Sequence, residues 1–229
     1  MNTIVSYVFD ADGVLFDEEN PYLAIATKLG VDKIVKEWVG EYLAGTLSYD
    51  ELVQREVDLF IESYNAVYNK RPETGDLERL LPFPNLRDGV ERLFKNILDA
   101  KKDISILSSG FMHLTRELTR LDVNSKKIHS NRFLYDTNGE FVTMHIDVYA
   151  DKVDAFDRLV EDSEMSFEET AYIGDNAFDE VLMKHALSKG STVYLVEEAN
   201  KDFKFKDYPT DENFFAVDSI NDLRKLVVK

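Results

Sequence analysis

Polar and apolar positions change their period along this chain, and the changes divide it. Thr3 to Phe9 (TIVSYVF) is short, β-branched and aromatic, with almost no polar interruption. Such a run predicts a strand buried on both faces, as in the middle of a parallel sheet. It ends at Asp10, and polar residues crowd the loop that follows. From Pro21 to about Leu81 the apolar residues fall at helical steps instead. The clearest stretch starts at Ser48, a helix N-cap, with Glu51 three residues on to complete a capping box. Leu52, Val53, Val57, Phe60, Ile61, Tyr64, Val67 and Tyr68 then make one continuous stripe. The segment PYLAIATKLG predicts a helix stopped by Gly30. Lys70 to Asp76 (KRPETGD) breaks the pattern, and Leu80 to Pro84 (LLPFP) reads as a crossing to another unit.

Beyond Pro84 strands and helices alternate. Arg87 to Lys102 predicts an amphipathic helix, Asp103 to Leu107 a strand, and Ser108-Ser109-Gly110 the loop after it. Phe111 to Leu121 (FMHLTRELTRL) and Asp151 to about Glu161 predict helices. TAYIG, ending at Gly174, predicts a strand, followed by the helix AFDEVLMKHAL, the strands STVYLV and FFAV, and a last helix through Leu226. Alternation of this kind predicts an α/β fold: a Rossmann-like parallel sheet with helices on both faces. Residues 1–16 and 85–229 are expected to form that core. Residues 17–84 are expected to form an all-helical cap inserted after the first strand.

Composition narrows the function classes. The 229 residues carry 27 Lys+Arg against 44 Asp+Glu, a net charge of −17. That field repels phosphate backbones and anionic lipid surfaces, which argues against nucleic-acid and membrane partners. Hydrophobic residues at 44% and aromatics at 12% supply a core and argue against disorder. With no cysteine, disulfides, zinc thiolate sites and cysteine nucleophiles are excluded. The opening MNTIVSYVFD has neither the basic nor the apolar region of a secretory leader, and no apolar window approaches roughly 18 residues, so a cytoplasmic location is expected. His113, His129, His145 and His185 share no metal-ligand spacing.

Sheets of this kind bind ligands beyond the carboxyl ends of their strands. The first strand delivers Asp10-Ala11-Asp12-Gly13-Val14, and the next delivers Ser108-Ser109-Gly110. TAYIG delivers Asp175-Asn176, with Asp179 one turn later, and Lys152 opens the preceding helix. Each alone has a plain reading. A strand-end Asp is ordinary loop chemistry, Asp175 suits an N-cap, and a single lysine is usually solvated. Together, Asp10, Asp12 and Asp175 put three carboxylates on one edge beside a hydroxyl and a lysine. Unrelieved, the carboxylates repel one another; a hard cation with oxygen ligands, Mg²⁺, relieves them.

In this order, Asp10-Ala11-Asp12-Gly13-Val14, Ser108, Lys152 and Gly174-Asp175 with Asp179 resemble the four motifs of the haloacid dehalogenase (HAD) superfamily of phosphohydrolases. The insert after the first motif sits where the phosphoserine phosphatase-like branch has its cap. The runs Ser108–Phe111, Ser130–Phe133 with Asn138-Gly139-Glu140, Leu29-Gly30-Val31 and Gly45–Tyr49 resemble that branch too. The resemblance implies a Mg²⁺-dependent small-molecule phosphatase acting on a phosphorylated metabolite. Asp10 would be the nucleophile that becomes an aspartyl-phosphate, and Asp12 the general acid and then base. Lys152 would neutralise nucleophile and phosphate, held by Asp179. Ser108, Ser109, Gly110 and Asn176 would surround the phosphate. Asp10, the Asp12 carbonyl and Asp175 would hold the metal.

Two cap positions bear on the substrate. Glu19 matches the family's cap carboxylate. Glu56 falls where the family's cap arginine stands, and Arg55 beside it would point about 100° away on a helix. A carboxylate there disfavours phosphoserine and favours a phosphorylated amine or neutral alcohol. Trp38, Tyr42, Leu43 and Tyr49 are expected to pack among the cap helices. A phosphotransferase or phosphomutase on the same fold, and a non-catalytic phosphometabolite-binding protein, are the alternatives. The first needs basic cap residues for a second phosphate, and Lys33, Lys36, Arg55, Lys70, Arg71 and Arg79 are scattered. The second would be favoured by a lost motif residue, and none is lost.

Overall fold

Contacts separate the chain into two units in a computed structural model that describes residues 3–17, 20–83, 85–111, 116–163, 165–175, 178–197 and 209–227. The first unit is Met1–Glu19, Pro84–Ser130 and Asp147–Lys229; the second is Asn20–Phe83 and Asn131–Ile146. The strands are β1 (Ser6–Phe9), β2 (Asp103–Phe111), β3 (Ile128–Tyr135), β4 (Phe141–His145), β5 (Thr170–Gly174), β6 (Thr192–Val196) and β7 (Phe214–Val217). The α-helices are α1 (Pro21–Leu29), α2 (Asp32–Leu43), α3 (Tyr49–Tyr68), α4 (Val90–Asp99), α5 (Val153–Asp162), α6 (Asp179–Ser188) and α7 (Ile220–Val227). None of them is long and apolar enough to cross a membrane, among the described residues.

The hydrogen-bonded strand order is β4-β3-β2-β1-β5-β6-β7. β1 pairs in parallel with β2 and β5, Ser6 lying opposite both Asp103 and Thr170. β6 and β7 continue the parallel ladder. Every residue of β1 is buried, as its unbroken apolar run predicts. Alternate side chains point to opposite faces. Tyr7 and Phe9 join Phe94, Ile97, Ile106 and Leu223 in one core cluster, whereas Val8 joins Phe156, Leu159, Tyr172 and Leu182 in the other. Each such side chain contributes about 1.5–3 kcal/mol by leaving water. The central place of β1 decides the site: its carboxyl end lies between those of β2 and β5, so three sequence-distant loops meet.

Three elements differ from the sequence reading. β2 runs on to Phe111 and takes Ser108-Ser109-Gly110 into the strand. Ile106, Leu107 and Phe111 are buried there, and that burial continues the strand through the small residues. Arg116–Leu121 is 3₁₀-helical where an α-helix was expected, and residues 112–115 lie outside the described set.

The third difference is the second unit, which is not helical throughout. Residues 131–146, expected in the core, belong to it. β3 and β4 form an antiparallel hairpin there, Phe133 lying opposite Met144. Asp136 Oδ1 accepts from the backbone N–H groups of Asn138 (2.8 Å) and Glu140 (2.9 Å), which closes the turn. Phe141 N donates to Pro72 O, and Thr74 N to Gly139 O, both at 2.8 Å. The hairpin thus takes up the backbone of the KRPETGD breaker. Asn138-Gly139 between apolar flanks is a hairpin signal that the sequence reading used only for its family likeness.

Candidate active site

The site starts where β1 ends. Asp10 N donates to Ile173 O at 2.9 Å, which continues the ladder with β5 and holds Asp10 at the strand terminus. Asp10 Oδ1 accepts from Ala11 N at 2.8 Å and is 2.8 Å from Lys152 Nζ. A tight turn follows, with Leu15 N and Phe16 N both donating to Ala11 O. Gly13 in this turn has φ +81°, and a Cβ there would lie 2.3 Å from Asp175 Oδ2. Glycine is required on both counts.

Asp12 faces β2. Its Oδ2 accepts from Ser108 Oγ at 3.1 Å, and Ser108 Oγ accepts from Gly110 N at 2.9 Å. A Cβ on Gly110 would meet the same Asp12 oxygen at 2.2 Å. The Ser108 hydroxyl, expected on a phosphate oxygen, is therefore turned onto Asp12 in this structure.

Lys152 precedes α5 with φ +59°, a left-handed conformation that a lysine adopts only at a cost. Its ammonium lies 2.6 Å from Asp179 Oδ1 as well as against Asp10, and only 2% of its side chain is exposed. Asp179, at the start of α6, is fully engaged. Its Oδ1 also accepts from Tyr172 OH at 2.7 Å, and its Oδ2 accepts from Asp175 N at 2.9 Å. Tyr172 and Arg87 are site residues that sequence reasoning missed. Tyr172 reads as packing inside a buried strand, and nothing local says where its hydroxyl goes. Arg87 follows the crossing from the insert; its N donates to Leu15 O at 2.9 Å. Its cationic side chain lowers the Asp175 pKa.

The electrostatics follow from burial. Desolvation pushes Asp10 well above the usual carboxylate range, the charges of Asp179 and Asp12 add to this, and Lys152 pulls against it. Asp175 is pushed up to about 9 by burial, then by Asp179 and Asp10, against Lys152 and Arg87. Asp179 is lowered, because Lys152, Tyr172 and the Asp175 N–H outweigh its desolvation. Burial opposes the charge on Lys152, but Asp10 and Asp179 outweigh it and raise its pKa. Burial and the Asp179 charge keep Tyr172 protonated, so it stays a donor.

Lys152 thus sets one positive charge against both Asp10 and Asp179, and the three buried carboxylates Asp10, Asp175 and Asp179 exceed what this lysine balances. Asp10, Asp175 and Asp179 each offer an oxygen, all within 4.8 Å of one another. Since the Asp179 oxygens are taken, Asp10 and Asp175 are the pair that could hold a cation. Buried, all-oxygen and anionic, this donor set fits Mg²⁺.

The structure brings Asp10, Asp12, Ser108, Gly110, Lys152, Asp175 and Asp179 together, with Ser109 half-buried on the same strand. Asn176 and Glu19 lie outside the described residues. Glu56 belongs to the second unit, on α3, and is 3% exposed. Arg55 points outward, ion-paired with Glu41 at 3.2 Å and stacked over Trp38 at 5.7 Å. Each histidine among the described residues stands apart from this cluster: His129 lies near Asp147 and His185 near Asp157.

A parallel α/β core with an inserted unit, an Asp-x-Asp at the end of its central strand and a buried Lys–Asp pair has the haloacid dehalogenase fold. Within that class the chain resembles the phosphoserine phosphatase-like branch. It is 25% identical over 144 residues to a chloroplastic phosphoserine phosphatase of Arabidopsis thaliana, 61% of this chain and 45% of the relative. The chain thus spans less than half the length of that curated relative. Among solved structures, phosphoserine phosphatase in apo form matches with TM-score 0.69 and 15% identity, over 98% of each chain. A phospho-aspartyl intermediate analogue of phosphoserine phosphatase matches with TM-score 0.65 and 18% identity, over 85% of this chain and 87% of that one. A HAD family hydrolase from Salmonella enterica serovar Typhi matches with TM-score 0.65 and 17% identity, over 88% of this chain and 66% of that one. No family model matches the chain.

Proposed function

We propose that the protein is a Mg²⁺-dependent phosphatase of small phosphomonoesters that works through an aspartyl-phosphate on Asp10. The observation that carries this reading is how Asp10 is held. One oxygen is tied to Ala11 N and Lys152 Nζ. Among the described residues nothing bonds the other, which leaves it for attack. Asp10 Oδ2 would bond to phosphorus as the phosphorus–ester oxygen bond breaks, and Asp12 would give its proton to the leaving alkoxide. Asp12, held through Ser108, would then take a proton from a water that attacks phosphorus, releasing phosphate and the Asp10 carboxylate. Lys152 would lower the charge on Asp10 and on the transferring group, with Asp179 and Tyr172 fixing its position. Asp10 and Asp175, with the Asp12 carbonyl, would hold Mg²⁺, which supplies charge cancellation on the phosphoryl oxygens.

Five basic residues of the second unit are already taken up, which weakens a phosphotransferase reading. Lys36, Arg55, Lys70, Arg71 and Arg79 each pair with a carboxylate of that unit. None of these five cations stands unpaired for a second phosphate.

Steady-state assays on phosphomonoesters with Mg²⁺ test the reading. Asp10→Asn keeps the shape and removes the nucleophile; turnover is expected to fall by about three orders of magnitude or more. Acid-quenched wild type is expected to carry one phosphoryl adduct on Asp10 by mass spectrometry. A variant retaining a tenth of wild-type turnover would remove the covalent mechanism. Excess chelator is expected to abolish activity, and Mg²⁺ to restore it.

A further inference from the structure

We propose that the second unit carries a subsite for an organic ammonium group, built from Glu56, Tyr22, Tyr49 and Asn131. Its role, selecting esters whose alcohol bears an amine or quaternary ammonium, rests on the phosphatase reading above. The subsite itself stands on the second unit alone.

Glu56 lies on α3 among Leu52, Val53, Val57 and Phe60, the buried stripe of that helix. Its side chain is almost wholly buried, and burial alone raises its pKa, with no hydrogen bond or charge partner among the described residues contributing. The cations nearby in sequence are engaged elsewhere. Arg55 is held outside by Glu41 and Trp38, and Lys70 and Arg79 pair with Asp76. A buried carboxyl without a donor is costly to ionise and is normally matched by a partner.

The groups beside it supply no cation either. Asn131 Nδ2 donates to Tyr22 OH at 3.3 Å, and the Tyr22 and Tyr49 hydroxyls hydrogen-bond to each other. Both hydroxyls lie close enough to feel the Glu56 charge. The Tyr42 ring stands 5.7 Å from that of Tyr49. A carboxyl, two phenol groups and polar oxygens, with no basic side chain beside them among the described residues, match an ammonium ion: charge for the carboxylate and phenols for the N-methyl or N–H groups. A ligand carboxylate would meet Glu56 and no counter-charge. A polyol would find the amide of Asn131 already turned onto the tyrosines. Burial raises Glu56 to about 8, so the unliganded carboxyl is mostly neutral near pH 7, and a bound cation would restore its charge.

The test uses the full chain, choline chloride as the binding probe, and two esters of equal shape, 2-aminoethyl phosphate and 2-hydroxyethyl phosphate. Wild type is expected to bind choline saturably by calorimetry, against sodium chloride at matched ionic strength. It is expected to prefer the amino ester by about tenfold or more in kcat/KM. Glu56→Gln, checked for folding by circular dichroism, is expected to bring that ratio below about threefold and to lose choline binding. The ratio within each protein cancels any general loss of activity. A wild-type ratio near one, or a preference for phosphoserine, overturns the selecting role, and no saturable choline binding by wild type overturns the subsite; all are read without the variant. Turnover of p-nitrophenyl phosphate with no choline binding also overturns it and leaves the phosphatase reading intact. Saturable choline binding that Glu56→Gln abolishes, with no turnover of any ester, supports the subsite and overturns the phosphatase reading.

Discussion

At Lys152 three demands meet in one residue. It is buried, its backbone is left-handed, and it neutralises two carboxylates that would otherwise repel. Removing the lysine leaves Asp10 and Asp179 unbalanced, so its geometry is maintained by its partners. Tyr172 is the least replaceable of these by a simple swap. Its hydroxyl donates to Asp179 Oδ1 at 2.7 Å, the oxygen that also takes the Lys152 ammonium. Tyr172→Phe is expected to destabilise the fold by about 1.5–3 kcal/mol, the range for a hydrogen bond to a charged group, in urea unfolding. It is also expected to lower kcat more than it raises KM, because Lys152 loses its fixed position and not its charge. An unchanged kcat would show that Lys152 is held without it. Gly13 gives a sharper case. Gly13→Ala strains a left-handed backbone and pushes a methyl onto Asp175 Oδ2. The expected result is a folded protein with a Mg²⁺ requirement raised by about tenfold or more, read from activity against Mg²⁺ concentration.

The elements show how the second unit is stiffened. α3 begins with a full capping box: Glu51 N donates to Ser48 Oγ, and Ser48 N to Glu51 Oε2. The helix carries Glu56, so fraying at its start would loosen Tyr49 and Glu56 together. Ser48→Ala is expected to lower stability by about 1 kcal/mol, and amide exchange over Tyr49–Val53 should speed up while that of α4 does not change. Exchange rising equally in both helices would mean that the two units unfold as one. The β3–β4 hairpin ties the breaker segment down through Phe141 N and Thr74 N. Tyr135 OH adds a 2.6 Å bond to Glu78. A loop that reads as a linker in sequence is thereby part of the unit's framework.

Across the whole molecule the chain carries −17, and among the described residues the carboxylates it buries are those of the site, Glu56 and Asp76. Mg²⁺ is expected to stabilise the native state by mass action, about 2.7 kcal/mol at a hundredfold excess over Kd, and Asp175→Asn to remove most of that gain. Thermal unfolding with and without chelator measures it; equal midpoints would take the metal away from this site. Glu56 adds a pH dependence of known sign. Its pKa is raised from 4.5 to about 8 in the fold. Stability from the neutral form is complete below 4.5 and is lost as pH rises through 8, because the unfolded chain ionises first. The groups facing it are the Tyr22 and Tyr49 phenols, both raised far above that window. Urea midpoints of wild type are therefore expected to fall between pH 5 and pH 9, and those of Glu56→Gln to fall less, a difference of order several kcal/mol. Parallel curves would show Glu56 ionised throughout.

What the sequence determined by itself was the alternation that makes the parallel sheet and the order of the residues at its strand ends. An apolar run ending in Asp10, strands alternating with helical stripes, and Asp12, Ser108, Lys152, Asp175 and Asp179 in sequence are local patterns. Each is visible because period and spacing are set by neighbours a few residues away. Tertiary structure decided the rest. Whether Ser108 holds Asp12 or a phosphate depends on a partner 96 residues distant. Tyr172 became a hydrogen-bond donor to the site because α6 begins where β5 ends, which no window over TAYIG reveals. The fate of Glu56 and Arg55 turned on which face of α3 packs inward. Adjacent residues on a helix differ by about 100°, so one was buried beside Tyr22 and Tyr49 and the other paired with Glu41 in solvent. Periodicity locates a helix face; only the elements packed against it decide which polar side chain that face must bury.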